Sequence, residues 1–311
     1  MLSYISGELG AYFRRDQIFA KVIFDENFTF AEHTTYGLGG RARGAFYPRN
    51  LPEARAVYDR LTEEGENFVV LAQGSNILAA DGGYDGYVIC TKKLQGIARI
   101  NSNTIFCLSG TPVGRILQYC RLNGLGGLEY LAGIPASIGG IACMNGGAGG
   151  VYINSNVLSV KLYNGKDYNL SNKNCNYGYK HSTMRDINSL IFGVFLSVLT
   201  DLPSNVASRI EQNLRRRSSL PAGRSCGCVF KNPVDKTTGG RVSAGAIIEE
   251  CGLKGFGSER AFVSPQHCNF IINRGATARE VCNLIEKVKA LVERRCAITL
   301  EEEVVYIGNF D

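Results

Sequence analysis

No Cys-x-x-Cys pair occurs in this 311-residue chain, although it holds 11 cysteines. Cys226 and Cys228 are too close together for a structural zinc site, and Cys268 beside His267 is not a site by itself, so metal binding through cysteine has no support. The odd number, mostly inside apolar runs, argues against a secreted disulfide framework. Small core residues in a reducing cytosol are the expectation. Long apolar runs are missing as well. The longest, 190–199, is far short of the ~20 residues that a bilayer span needs. Residues 1–13 contain Glu8 and no basic residue ahead of their apolar stretch, which is not the pattern of a signal peptide. A cytoplasmic protein without a membrane partner is expected. Charge of one sign is also scarce: the net formal charge is +6, and Arg215-Arg216-Arg217 is the one dense basic run. A nucleic-acid binder would show a basic stripe and a pI above ~9, so no nucleic-acid partner is expected. The arginine run suits a small anion such as a diphosphate, or the C-terminal end of a helix. P-loop patterns, internal repeats and low-complexity tracts are absent.

Glycine is what the chain does have. Its 37 glycines cluster in a few stretches without a period, a pattern of loops that approach a ligand or another segment closely. The length allows two or three domains. Asn50 and Pro52 open a helix over 51–64. Strands are expected at 68–71, 87–91, 97–100, 104–108, 157–163 and 190–199, with a helix over 112–123 closed by Gly124. A helix at 203–217 begins near a domain boundary. Beyond it come a helix over 243–251, strands at 261–264 and 269–272, and a helix over 277–295 opened by a Thr277/Glu280 capping box. A last strand is expected over 298–307. Helices and strands mix without strict alternation, which predicts an α+β protein.

Gly37, Gly39 and Ala42 match a dinucleotide fingerprint, but no strand precedes them and a strand follows, so a Rossmann site is not expected. Two other stretches are better placed. In 69–78 a strand enters a glycine turn that should open onto a short helix; in 126–147 glycines bracket a helix start at Ser137. Free N–H groups at such places suit a pyrophosphate.

The segment 71–78 (Leu-Ala-Gln-Gly-Ser-Asn-Ile-Leu) resembles the Gly-x-Gly-Ser-Asn-x-Leu motif of vanillyl-alcohol-oxidase-like flavoproteins. Within that group, 33–40 (His-Thr-Thr-Tyr-Gly-Leu-Gly-Gly), 128–147, 227–233, 245–255, 267–273 and 300–308 resemble UDP-N-acetylenolpyruvoylglucosamine reductases, in the family's order and from about residue 30 onward. The short gap between Lys180 and Ser225 resembles the family's shorter subtype. The resemblance implies a two-part FAD-binding domain (1–95 and 96–205) and a C-terminal α+β substrate-binding domain (206–311), acting as a monomer. It implies FAD as cofactor, NADPH as reductant, and reduction of the enolpyruvyl group of UDP-N-acetylglucosamine enolpyruvate on the path to peptidoglycan. Cofactor contacts implied by position are Tyr36, Gly74, Ser75, Asn76, Gly133, Ile134, Pro135, Ser137, Gly140, Asn145 and Gly146. Tyr179, Arg215, Asn232 and His267 would face the substrate.

The same resemblance places the reaction centre in 225–233 and names three catalytic positions, two of them altered here. The family serine of Gly-Ser-x-Phe-Lys-Asn-Pro is Cys228, and a thiol is the better acid near neutral pH. The family arginine of Gly-Tyr-Arg-x-Ser is Lys180, which keeps the charge but loses the bidentate fork; Arg185 is the local alternative. The family glutamate is Glu303, expected on one strand face with Val305 and Ile307, where apolar surroundings would raise its pKa. A flavin oxidase on the same scaffold, or a flavin-binding protein that has lost catalysis, are the other readings.

Overall fold

The computed structural model describes residues 15–235 and 237–310, so the reading of residues 1–13 lies outside the described residues. In chain order its main strands are β1 (Ile23–Asp25), β2 (Ala42–Tyr47), β3 (Phe68–Leu71), β4 (Ile77–Ala79), β5 (Tyr84–Cys90), β6 (Ile97–Asn101) and β7 (Thr104–Leu108). They continue with β8 (Val157–Tyr163), β9 (Asp167–Ser171), β10 (Leu190–Ser197), β11 (Ala261–Val263), β12 (Ile271–Asn273) and β13 (Val305–Ile307). The main helices are α1 (Leu51–Glu63), α2 (Val113–Leu122), α3 (Ile138–Cys143), α4 (Pro203–Arg217), α5 (Ala244–Glu250) and α6 (Ala278–Cys296).

The chain divides into two compact units. Among the described residues, the first comprises 15–26, 44–73 and 86–214; the second 27–43, 74–85 and the segment from 215 to 310. In the first, a sheet of order β1-β2-β5-β3 stands beside a wholly antiparallel sheet of order β9-β8-β10-β7-β6. Helix α1 forms because the Asn50 side chain accepts from the Glu53 amide and Pro52 needs no donor in the first turn. It buries Ala54, Val57, Tyr58 and Leu61, packed with Ile89 and Phe192. A second core gathers Ile116, Ile138, Val160, Val194 and Leu196.

The second unit is built on α6. The Thr277 hydroxyl accepts from the Glu280 amide and the Glu280 carboxylate from the Thr277 amide, while Asp81 accepts from the amides of Ala278 and Arg279. Val281, Leu284, Ile285, Val288 and Val292 then share a buried face with Phe230, Val263 and Leu300. Helix and sheet content agree with the α+β expectation.

Two expectations fail. The segment 298–307 is strand only at Val305–Ile307. Residues 301–303 instead make single bonds to 229–231: Lys231 N donates to Glu301 O and Glu303 N to Val229 O. The turn at 74–76 opens onto strand β4, not a helix, because Ile77–Ala79 pairs in parallel with Val305–Ile307. That partner lies more than 200 residues away, beyond any local pattern.

Candidate active site

The glycine turn between β3 and β4 requires a backbone that only glycine adopts freely. Gly74 has φ +62°, and a Cβ there would lie 2.4 Å from the His33 carbonyl. Among the described residues no backbone or side-chain acceptor faces the amides of Gln73, Gly74, Ser75 and Asn76. Such consecutive free donors suit a diphosphate, so the turn fits the expected cofactor. Asn76 also reaches the C-terminal segment: its Nδ2 donates to the Glu303 carbonyl at 3.0 Å, and its own carbonyl accepts from Val305 N.

The second glycine stretch differs from the expectation. The first amides of α3 are engaged inside the protein: Ile138 N donates to Thr111 O, Gly139 N to Ser109 O at 2.8 Å, and Gly140 N to Ser137 Oγ. The free N–H groups expected at Ser137 are therefore absent, because the helix start is docked on 109–111. What this stretch turns outward is Gly133, Pro135 and Gly140, with Ile134 half-buried. Gly146 is buried, and a Cβ there would meet the Ile141 side chain at 2.9 Å. Tyr36 is wholly buried in the second unit's core, with its hydroxyl beside the Cys226 thiol; its carbonyl accepts from Asn273 Nδ2. Burial pushes the Cys226 thiol up to about 12, so it is an inert core cysteine, as expected.

Asn145 holds a loop. Its Oδ1 accepts from Asn154 N at 3.2 Å and its Nδ2 donates to Gly178 O at 2.9 Å. Gly178 and His181 exchange backbone bonds around a two-residue turn, Tyr179-Lys180, and Lys180 has φ +57°. A positive φ at that corner fits a type II turn, where an L-residue is strained. Ser182 Oγ donates to Cys143 O at 2.6 Å, and Arg185 Nη1 donates to the Lys180 carbonyl at 3.0 Å. Arg185 thus buttresses the turn that carries Lys180. His181 is exposed and bonds Asp186.

Cys228 and Glu303, 75 positions apart in sequence, lie on adjoining segments of the second unit. Strand-like bonds hold 228–231 between 269–270 and 301–303: Cys228 bridges Phe270, Phe230 bridges Glu302, and Glu303 N donates to Val229 O at 2.7 Å. Asn269, fully buried, fixes the middle of the segment. Its Oδ1 accepts from Phe230 N at 2.8 Å and its Nδ2 donates to Phe230 O at 2.9 Å. Glu301 and Glu302 pair with Lys231 and Lys289. Asn232 Oδ1 accepts from Ala244 N, which fastens α5 to the same segment. His267 Nδ1 accepts from Asn269 N at 3.3 Å, and burial pulls its pKa down.

Arg215 is exposed on the last turn of α4. Two residues on, Arg217 is half-buried and within electrostatic reach of Cys228. Burial works against its charge and the Cys228 sulfur works for it, and its Nε is buried with no partner among the described residues. Three consecutive arginines carry no signal that singles out the third; the direction of the last helical turn decides it. Asn269 was detectable as a polar residue inside the apolar stretch 268–272.

Residues 42–167 match the FAD binding domain family. With the free amides of the glycine turn, this defines the class: a flavin-adenine-dinucleotide-binding protein. Residues 218–307 match the C-terminal domain of UDP-N-acetylenolpyruvoylglucosamine reductase. Proteins of that name from Moorella thermoacetica and Chlamydia abortus are 36% identical over 288 residues (91% of this chain, 93% of theirs) and 35% identical over 280 (88% and 90%). The crystal structure of UDP-N-acetylenolpyruvylglucosamine reductase from Thermus caldophilus aligns with TM-score 0.78 at 28% identity, covering 93% of this chain and 99% of that one. The chain belongs to the UDP-N-acetylenolpyruvoylglucosamine reductase family.

Proposed function

We propose that this protein is an FAD-dependent reductase that uses NADPH to convert UDP-N-acetylglucosamine enolpyruvate to UDP-N-acetylmuramate, in the cytoplasm and as a monomer. Family membership supports the reaction. The observation that carries the assignment of residues is the convergence of Cys228 and Glu303 on bonded neighbouring segments, with Asn76 of the glycine turn tied to the Glu303 carbonyl. In this reading Gln73 to Asn76 and the outward residues of 133–140 hold the cofactor, 1–95 and 96–205 being its two halves, and 206–311 binds substrate.

Bound flavin supplies the hydride for the enolpyruvyl double bond. The chain must bind the substrate carboxylate, hold the charge that develops beside it, and protonate the adjacent carbon. Lys180 holds the charge. Cys228 is the proton donor, its thiol remaining protonated until the carbanion forms. Glu303 acts beside Cys228 in proton handling. The unpartnered Arg217 Nε donates to an oxygen of the anionic substrate, with Arg215, Asn232, Tyr179 and His267 as further substrate contacts. Family descent supports activity despite the altered serine and arginine, because thiol and ammonium keep the acid and the charge.

Anaerobic titration tests the proposal. NADPH should bleach the flavin band of the purified protein, and UDP-N-acetylglucosamine enolpyruvate should restore it with formation of UDP-N-acetylmuramate. A reduced flavin that oxygen reoxidises and the sugar nucleotide does not would make the protein an oxidase instead. A protein that takes up no FAD would overturn both readings.

A further inference from the structure

Two cysteines that the proposed reaction leaves unused stand with their sulfurs 2.9 Å apart: Cys251 and Cys296. Cys251 is the C-cap of α5, and Cys296 is the last residue of α6. Both helix ends are anchored. The Arg295 side chain donates to the Cys251 carbonyl, and Gly252, at φ +67°, turns the chain out of α5. Both side chains belong to the core that α6 organises, Cys251 buried and Cys296 half-buried. Among the described residues no other cysteine pair makes a sulfur–sulfur contact of this kind. Closing 2.9 Å to the ~2.05 Å of a disulfide needs a movement of less than ~1 Å, within the reach of side-chain rotation.

We propose that Cys251 and Cys296 form a redox-modification site, joined as a disulfide by a peroxide. The more accessible Cys296 sulfur attacks one peroxide oxygen, the O–O bond breaks, and the second oxygen leaves as water. The Cys251 sulfur then displaces the hydroxyl of the resulting sulfenic acid. The S–S bond forms and the hydroxyl leaves as water with the Cys251 thiol proton. Two thiols lose two electrons in total, and the peroxide is reduced to two waters. Burial pushes the Cys251 thiol above its ordinary range, which leaves the first step to Cys296. The bond closes residues 252–295 into a covalent loop that holds β11, β12 and most of α6.

The test treats the holoenzyme with stoichiometric hydrogen peroxide, blocks the remaining thiols with an alkylating reagent, and maps the peptides with and without dithiothreitol. A linked Cys251–Cys296 peptide that dithiothreitol separates is the expected result. Thermal unfolding of the oxidised protein should rise by roughly 5–10 °C and fall back on reduction. Cys296→Ser should lose the linked peptide and the thermal shift while melting like the reduced wild type. The proposal is overturned if both cysteines remain alkylatable after oxidation, if either is found linked elsewhere, or if Cys296 proceeds to sulfinic acid with Cys251 still free. The wild-type map decides the matter even if the variant does not fold.

Discussion

In the proposed reaction Cys228 is the proton donor, a role that a thiol can fill. The segment around it is held from both sides, by 269–270 and by 301–303, so replacing its side chain should leave the backbone in place. Cys228→Ala should keep NADPH-driven flavin reduction at the wild-type rate and slow substrate reduction by about 10²-fold or more. Cys228→Ser should retain part of it. Rapid-reaction absorbance of the two half-reactions separates these outcomes; a normal second half-reaction in Cys228→Ala would move the proton donor elsewhere. Lys180 is a different case. Its left-handed backbone costs roughly 1–2 kcal/mol in an L-residue, and Asn145, Ser182 and Arg185 hold the turn in spite of it. Strain sustained by several supports is a mark of a functional position. Lys180→Met should reduce substrate reduction about 10²-fold with flavin reduction intact, and Lys180→Arg should be tolerated. A Met variant with normal rates would leave the charge to Arg217 or water.

At the scale of elements, local chemistry and distant pairing divide the work. α1 and α6 carry their own caps, so their limits follow from Asn50, Thr277 and Glu280. By contrast β4 exists because β13 pairs with it. Between α1 and β9 runs an ion pair suited to a pH test. Arg55 donates through two nitrogens to Asp167, and Lys161 adds a second contact. The Arg55 bonds are the main cause holding the Asp167 carboxyl down, to about 2. The folded pKa lies below the unfolded value of ~3.9, so the pair stabilises the protein above that value. Its contribution is lost as pH falls through about 2. Asp167 is one-third exposed, and solvent screening limits the effect to roughly 1 kcal/mol. Asp167→Asn should therefore lower the urea midpoint at pH 7, the difference shrinking toward pH 2 and vanishing only below it. An equal difference at both pH values would mean that charge is not its source.

For the whole molecule, bound flavin adds stability. A ligand that binds only the folded state adds about 2.7 kcal/mol at 100 times its Kd. Removal of FAD should lower the unfolding temperature, and added FAD should restore it in proportion to the logarithm of its concentration. A melting temperature independent of FAD would mean that Gln73 to Asn76 do not hold it in the folded protein.

What the sequence determined by itself was whatever depends on neighbours a few residues apart. The caps, the helix 203–217, the strands 104–108 and 157–163, and the glycine turn at 74 are legible because propensity, periodicity and φ requirements act locally. Motif order made the family legible too. Tertiary structure alone decided which groups meet. It left the amides at 73–76 without acceptors among the described residues but engaged those of Ile138 and Gly139 on 109–111 and that of Gly140 on Ser137, a difference invisible in two similar glycine-rich stretches. It put Tyr36 and Cys226 in a core, turned Asn145 into the anchor of the Lys180 turn, and set the half-buried Arg217 within electrostatic reach of Cys228. Residues 301–303 bond singly to 229–231 and leave strand geometry to begin at Val305, so the face of Glu303 could not be read from alternation. Each of these outcomes rests on hydrogen bonds or burial between segments far apart in the chain, for which no local pattern exists.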